Sequence, residues 1–164
     1  MAAMIRSATQ ADVEGIAAIH NRAIRESPNL WLWEEIALPA RLAWLEAQAR
    51  ADRPVLVAEA EGRVAGFASY GPFRAYAGYR DTIEHSVYVD PAHHGRGLGR
   101  ALMERLIEEA RDRRMHVMVA AIGLPNDPSV ALHRALGFTE AGRMPEVGCK
   151  FGRYWDLLLM QLML

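Results

Sequence analysis

The chain has 164 residues, of which 51% are hydrophobic and 24% charged, and its formal net charge is −1 at pH 7. This length and composition are typical of a globular protein, and we expect a single domain over residues 1–164. The near-neutral charge argues against a nucleic-acid partner or an anionic membrane surface.

The N-terminal sequence and the cysteine content bear on the cellular compartment. The opening MAAMIRSATQ lacks the apolar core of a signal peptide, and no apolar run reaches the ~18 residues of a transmembrane helix. Cys149 is the only cysteine, which excludes a disulfide within the chain. We therefore expect a cytoplasmic protein with no membrane contact.

The first third of the chain has mainly helical periodicity. Residues 4–6 indicate a short strand, and residues 13–25 have apolar side chains at helical spacing. A second helix is predicted to begin at Pro39, because proline is favoured in the first helical turn. We expect its buried face to consist of Leu42, Leu45 and Ala49.

The middle of the chain predicts three strands. Residues 55–60 and 64–70 form a hairpin around Glu61-Gly62, and residues 82–89 are a β-branched run. A loop rich in Tyr, Arg and Gly, over residues 73–81, separates the hairpin from the third strand.

A glycine-rich loop, HGRGLGR at residues 94–100, follows the third strand and opens into an amphipathic helix that extends to about residue 114. Such a helix N-terminus offers unpaired N–H groups and the positive end of the helix dipole, which suits a phosphate. The loop is not a P-loop, because Gly-x4-Gly-Lys-Ser/Thr is absent. It is not a dinucleotide fingerprint either, because Leu102 replaces the third glycine. A glycine-rich cap without a ligand is the alternative.

The last third alternates again between strand and helix. The predictions are a strand at 116–122, a helix at 129–136, a strand at 138–142, a loop at 144–152 and a strand at 154–164. The complete order is β-α-α-β-β-β-α-β-α-β-β. It predicts an α/β (α+β) fold with a mixed sheet and helices on both faces.

Two local patterns resemble the GNAT superfamily of N-acetyltransferases. The loop is similar to the [Gln/Arg]-x-x-Gly-x-Gly pyrophosphate loop, with His94 at the first position. Residues 126–138 carry Asn-x2-Ser-x3-His-x3-Gly-Phe, which is similar to the second local signature. Within the superfamily, residues 84–89 (EHSVYV) and 126–133 resemble the phosphinothricin / methionine sulfoximine N-acetyltransferase branch.

This resemblance implies a GNAT-like acyl-CoA N-acyltransferase fold, acetyl-CoA as co-substrate and no metal. It implies direct acetyl transfer to the α-amino group of a small amino-acid analogue. It also implies a homodimer, with the region of Lys150 and Phe151 near the partner subunit. The implied coenzyme-binding residues are Val87, Tyr88 and Val89 through their backbone, Gly95, Arg96, Gly97, Leu98, Gly99 and Arg100 around the pyrophosphate, and Asn126 beside the coenzyme arm.

Two titratable residues are candidates for the chemistry. Glu84 lies in an otherwise apolar strand, where burial would raise its pKa and suit it as the base that deprotonates the amine. Its alternative role is a structural ion pair with Arg74 or Arg80. His133 occupies the position where the superfamily commonly has a Tyr that protonates the departing thiolate, and its alternative is a core histidine. His85 is expected to pack or to form a hydrogen bond.

The acceptor pocket follows from the chemistry of an amino acid, whose carboxylate an Arg can bind bidentately. The candidate substrate-binding residues are Arg74, Gly78, Tyr79, Glu84 and Trp31, and core packing is the alternative for Trp31. Two other functions stay open. One is acetylation of a peptide or protein N-terminus, and the other is a non-catalytic acetyl-CoA-binding module that would not need Glu84.

Overall fold

The computed structural model describes residues 4–164 and contains seven strands and four α-helices within that range. The strands are β1 (Met4–Ser7), β2 (Val55–Ala60), β3 (Arg63–Pro72), β4 (Thr82–Val89), β5 (Val117–Leu124), β6 (Thr139–Lys150) and β7 (Arg153–Met163). The helices are α1 (Val13–Glu26), α2 (Leu38–Arg50), α3 (Leu98–Asp112) and α4 (Asp127–Ala135). The predicted order of elements is confirmed.

All seven strands form one sheet in the order β1-β2-β3-β4-β5-β7-β6. Only β4 and β5 are parallel, and every other neighbouring pair is antiparallel. The crossover between β4 and β5 is made by α3, as a parallel connection requires. The prediction of a mixed sheet is confirmed.

The helices cover the two faces of the sheet separately. One core contains the apolar face of α3, including Leu102 and Leu106, with side chains of α4 packed beside it. The other contains Ile16 and Ile19 of α1 together with Leu45 of α2. Along β4 the side chains alternate between these layers, so Ile83 and His85 point to the α3/α4 face and Glu84 to the α1/α2 face.

Two sequence predictions are wrong in detail. Residues 144–152 were predicted as a loop, whereas β6 continues to Lys150 and pairs with β7 across two irregularities in register. The second irregularity, between Met144 and Gly148, contains Pro145, which has no N–H to donate to a neighbouring strand. In α2 the buried side chains are Arg41, Leu45 and Gln48, while Ala49 is exposed. A prediction from the spacing of apolar residues does not identify polar side chains, such as Arg41 and Gln48, that are buried on the inner face of a helix.

Candidate active site

A cleft opens where β4 and β5 separate. Their parallel pairing covers only Thr82–Glu84 with Val117–Val119, and beyond it the two strands have no register with each other. A cavity of about 330 Å³ occupies the gap. Its walls are the facing edges of β4 and β5, the segment after α1 and the start of α4. The separation leaves one edge of β4 available to an extended ligand.

The glycine-rich loop lies at the end of the same strand. Gly95 and Gly97 have φ of 74° and 77°, a conformation that glycine adopts without strain. Within residues 4–164, none of the amides of residues 95–100 donates to a backbone carbonyl. These unpaired donors at the N-terminus of α3 fit a pyrophosphate.

His94, where the sequence departs from the family loop, has a structural partner. Its Nε2–H donates to the carbonyl oxygen of Val89 at 3.0 Å, which ties the loop to the end of β4. Arg100 is occupied by an ion pair with Glu104 at 2.7 Å. The backbone of the loop is therefore the better placed anion-binding element.

Glu84 lines the cavity from β4 and is half-buried. Burial raises the pKa of its carboxyl group, and the positive charge of Arg74 partly opposes this. In the described residues its carboxylate has no ion-pair partner within 4.0 Å, and Arg80 pairs with Asp81 instead. The structural ion pair considered as the alternative for Glu84 is therefore not formed.

His133 lines the same cavity from α4 and is buried. Its Nδ1 lies 2.7 Å from the carbonyl oxygen of Ser129, and its Nε2 lies 3.0 Å from Nε2 of His85. The two imidazole rings stack with centroids 5.0 Å apart, and the ring of Phe138 packs edge-on against both. Burial lowers the pKa of both histidines, that of His85 to about 3.

Asn126 caps α4 at the edge of the cavity. Its Oδ1 accepts a hydrogen bond from the amide of Ser129 at 3.3 Å. The side-chain amide nitrogen is not used in this cap, so it can donate to a ligand in the cleft. Val87 and Tyr88 complete the β4 wall. They also line an adjoining pocket together with Val89 and His94.

The other predicted acceptor residues lie outside the lining of this cavity. Arg74, Gly78 and Tyr79 are exposed on the segment that precedes β4, where Arg74 stacks on Phe73 at 4.9 Å. Trp31 packs directly over Gly148 of β6 and donates its indole N–H to the carbonyl of Pro28. The residues that line this one cavity are therefore Glu84, Val87, Tyr88, Asn126 and His133. Of the four predicted residues outside its lining, Arg74 is close enough for its charge to act on Glu84, and Trp31 lies against Gly123 of the cavity wall.

Sequence reasoning missed a buried arginine on the α1/α2 face. Arg41 of α2 donates from Nη2 to Nδ1 of His20 at 2.6 Å, lies over the ring of Trp44 and has no acidic partner within the described range. Burial and this cation lower the pKa of His20 to about 4. His20 in turn packs edge-on against Tyr88 at 4.9 Å, so the pair supports the β4 wall.

Lys150 was also missed as a support of the cleft. Its buried ammonium group donates to the carbonyls of Ile24 and Leu30, at the end of α1 and in the segment that follows. That segment forms one side of the cavity. The lysine is the only one in the chain, which is the one signal the sequence offered.

Two further findings concern metal binding and membrane-spanning helices. Among residues 4–164 no group of three His, Cys, Asp or Glu side chains is arranged to hold a metal ion. None of the helices in that range combines the length and apolarity that crossing a membrane requires.

The chain is similar to known acetyltransferases in sequence and in fold. The profile of the acetyltransferase (GNAT) family matches residues 16–138. The chain is 50% identical to the L-amino acid N-acyltransferase MnaT of Escherichia coli (strain K12), over 98% of this chain and 93% of that protein. It is also 50% identical to an L-methionine sulfoximine/L-methionine sulfone acetyltransferase of Salmonella typhimurium, over 98% and 94%. A phosphinothricin N-acetyltransferase of Streptomyces viridochromogenes is 41% identical, over 93% and 83%.

Solved acetyltransferase structures have the same fold as this chain and a similar level of sequence identity. An acetyltransferase of Salmonella typhimurium, determined with its cofactor acetyl-CoA, superposes with a TM-score of 0.97 at 48% identity, covering 99% of this chain and 94% of its own. A ribosomal-protein-alanine N-acetyltransferase of Brucella melitensis superposes with a TM-score of 0.96 at 49% identity, covering 98% and 99%.

Proposed function

The chain belongs to the GNAT acetyltransferase family, and we propose that it transfers the acetyl group of acetyl-CoA to the α-amino group of a small amino-acid analogue. The acceptors we propose are of the methionine sulfoximine, methionine sulfone or phosphinothricin type. The observation that carries this proposal is that one strand, β4, bears the half-buried Glu84 and is joined by a single 3-10 turn, Pro91–His93, to the glycine-rich loop. The proposed base and the proposed phosphate site are thereby held at a short distance along one continuous segment.

The cleft has suitable donors for acetyl-CoA. The unpaired amides of residues 95–100 would hold the pyrophosphate, and the free edge of Val87, Tyr88 and Val89 would pair with the pantetheine amides. The amide nitrogen of Asn126 would contact the coenzyme arm. When bound, the coenzyme supplies an acetyl thioester, which is an activated acyl group.

Glu84 prepares the acceptor amine. An α-amino group has a pKa of roughly 7.7–8.0 and is mostly ammonium at neutral pH. Glu84 accepts its proton, directly or through one water, so that the nitrogen lone pair is free to attack. Burial makes this carboxylate more basic than an ordinary glutamate. A backbone N–H of β4 donates to the carbonyl oxygen of the acetyl thioester as negative charge develops on that oxygen.

The leaving-group side of the cleft is the side of α4. His133 reaches the cavity from this helix, and we propose that it serves the departure of the thiolate. Both of its ring nitrogens lie within hydrogen-bond distance of protein groups. His133 therefore contributes by holding neighbouring hydrogen-bond donors in place beside the coenzyme sulfur.

The acceptor would approach from the α1/α2 face, where Glu84 points. Arg74 has no ion-pair partner in the described residues and is close enough to lower the pKa of Glu84. We propose that it binds the acceptor carboxylate bidentately, with Gly78 and Tyr79 beside it and Trp31 as a wall. The exposure of this segment leaves room for it to close over an acceptor.

We also propose a cytoplasmic homodimer. Large apolar side chains are exposed on and beside the β6–β7 hairpin, and the exposed fractions of Trp33, Phe151 and Tyr154 are 75%, 56% and 69%. A patch of this kind is characteristic of a protein–protein interface. Light scattering after size-exclusion chromatography should give twice the mass of the chain, and Phe151→Asp should shift it toward the monomer.

The decisive experiment measures free-thiol release from acetyl-CoA with a panel of acceptors. The panel contains methionine sulfoximine, methionine sulfone, phosphinothricin, ordinary amino acids and a peptide with N-terminal alanine. We expect turnover with the first three. Turnover with the peptide alone would favour protein N-terminal acetylation, which the similarity to the Brucella melitensis enzyme makes the second candidate. No turnover with any acceptor would instead indicate a non-catalytic module.

A further inference from the structure

We propose that the hydroxyl of Ser129 is a catalytic residue that donates a hydrogen bond to the coenzyme sulfur as the thiolate departs. His133 and His85 are positioning residues that direct the hydroxyl hydrogen into the cleft. This inference rests on the proposed function, since it assigns the leaving-group contact of the same site.

The hydrogen-bond acceptors around the histidine pair determine its tautomers. The carbonyl of Ser129 can only accept, so Nδ1 of His133, 2.7 Å away, must carry a hydrogen. Burial keeps His133 neutral, so its Nε2 has a lone pair and accepts from Nε2–H of His85 at 3.0 Å. The remaining nitrogen, Nδ1 of His85, is then a buried acceptor, and in the described structure it has no partner.

The same logic fixes the role of the Ser129 hydroxyl. Its Oγ lies 3.4 Å from Nδ1 of His133, which already carries a hydrogen. Oγ therefore faces that nitrogen as an acceptor, and its own hydrogen has no acceptor on the histidine side. Ser129 lines the cavity together with Asn126 and Val87. The O–H is therefore available as a donor to the cavity, in which the thioester would lie.

The chemistry requires only a hydrogen bond at this position. As the new C–N bond forms and the C–S bond breaks, the bonding electron pair stays on sulfur. The nitrogen loses its second proton to Glu84, which has already passed the first one, taken from the ammonium group, to solvent. A thiol pKa of roughly 8.5 lets the sulfur leave as an anion without full protonation. A hydrogen bond to the charged form stabilises it and lowers its pKa.

The test compares the binding of CoA with that of desulfo-CoA, which lacks the sulfur. Ser129→Ala should weaken binding of the CoA thiolate by about 10-fold, as expected for a hydrogen bond to a charged group, and leave desulfo-CoA binding unchanged. The thiol pKa of bound CoA, followed by thiolate absorbance, should rise by about one unit. Ser129→Thr, which keeps the hydroxyl, should restore both values.

Each outcome decides the proposal. Equal weakening of CoA and desulfo-CoA binding, or an unchanged pKa of the bound thiol, would overturn the role of Ser129. An unchanged pKa in His85→Phe, beside a raised one in Ser129→Ala, would overturn the positioning role of the histidines. Desulfo-CoA affinity reports folding of each variant. Because none of these readouts needs an acceptor, failure of the proposed acetyl transfer would leave them interpretable.

Discussion

The Nε2 atoms of His85 and His133 lie 3.0 Å apart, although 48 positions separate the two residues in the chain. One belongs to β4 and the other to α4, so the hydrogen bond joins the two sides of the cleft below its opening. Both rings are buried and neutral. A neutral pair can hold the cleft wall in place without the desolvation cost of a buried charge.

The buried histidines should make the protein sensitive to mild acid. The pKa of His85 is about 3 and that of His20 about 4 in the folded state, against 6.5 when unfolded. Below pH 6.5 the unfolded chain binds more protons, so stability falls as the pH falls toward 4. His85 alone should remove about 1 kcal/mol between pH 6 and pH 5. Urea unfolding at a series of pH values measures this loss.

Two variants isolate the contribution of His85. The slope of the unfolding free energy against pH measures how many more protons the unfolded chain binds than the folded chain. His85→Phe should reduce this number by about one, whereas His116→Gln, at an exposed position, should leave it unchanged. The raised pKa of Glu84 makes the folded state bind a proton more readily, so this residue adds stability as the pH falls. For this reason the difference in slope between variants is compared, and not the slope of the parent protein alone. An unaltered slope in His85→Phe would show that the histidine is not buried neutral.

Glu84→Gln should lower kcat by at least about 100-fold at pH 7, because the amine loses its proton acceptor. The deficit should shrink above pH 8, where much of the free amine is already deprotonated. In the kcat/KM profile the limb due to Glu84, which we expect above the ordinary pKa of a glutamate, should disappear, and only the limb due to the acceptor amine should remain. Asp81→Asn is the matched control, since this exposed carboxylate lies just before β4. A uniform loss at all pH values would argue against a base.

Gly97→Ala should weaken acetyl-CoA binding. Its φ of 77° costs a residue with a side chain roughly 1–2 kcal/mol, and the added methyl group would enter the proposed phosphate site. Gly62→Ala is the control, because Gly62 has φ of 73° and equally open surroundings but lies in the β2–β3 turn. Both variants should lose similar stability in urea, and only Gly97→Ala should lose affinity in calorimetry. Equal affinities would remove the loop from the coenzyme site.

Gly148→Ala should displace Trp31. A methyl group at this position would lie 2.3 Å from the indole ring, whereas one at Gly142 of the same strand would meet nothing within 4 Å. Overpacking of this kind costs about 1–3 kcal/mol. We therefore expect a lower urea midpoint and a higher KM for the acceptor in Gly148→Ala, with Gly142→Ala close to the parent in both. An unchanged KM in a destabilised Gly148→Ala would assign Trp31 to packing alone.

The sequence by itself determined the order of elements and the family, and it predicted the position of the phosphate loop. Each rests on local chemistry. The spacing of apolar residues indicates which face of a helix or strand is buried. Glycines just before an amphipathic helix indicate a helix N-terminus with free amides. The predicted mixed sheet and GNAT fold are confirmed because these local signals agree along the whole chain. The role of each site residue stays a prediction.

Only the tertiary structure decided how the side chains meet. It paired His85 with His133, buried Arg41 against His20, and anchored Lys150 under the segment that walls the cleft. It also extended β6 through the predicted loop. These contacts join residues between 21 and 126 positions apart, and they depend on strand register and helix placement. A side chain's hydrogen-bond partners are set by that long-range packing, which no local pattern encodes.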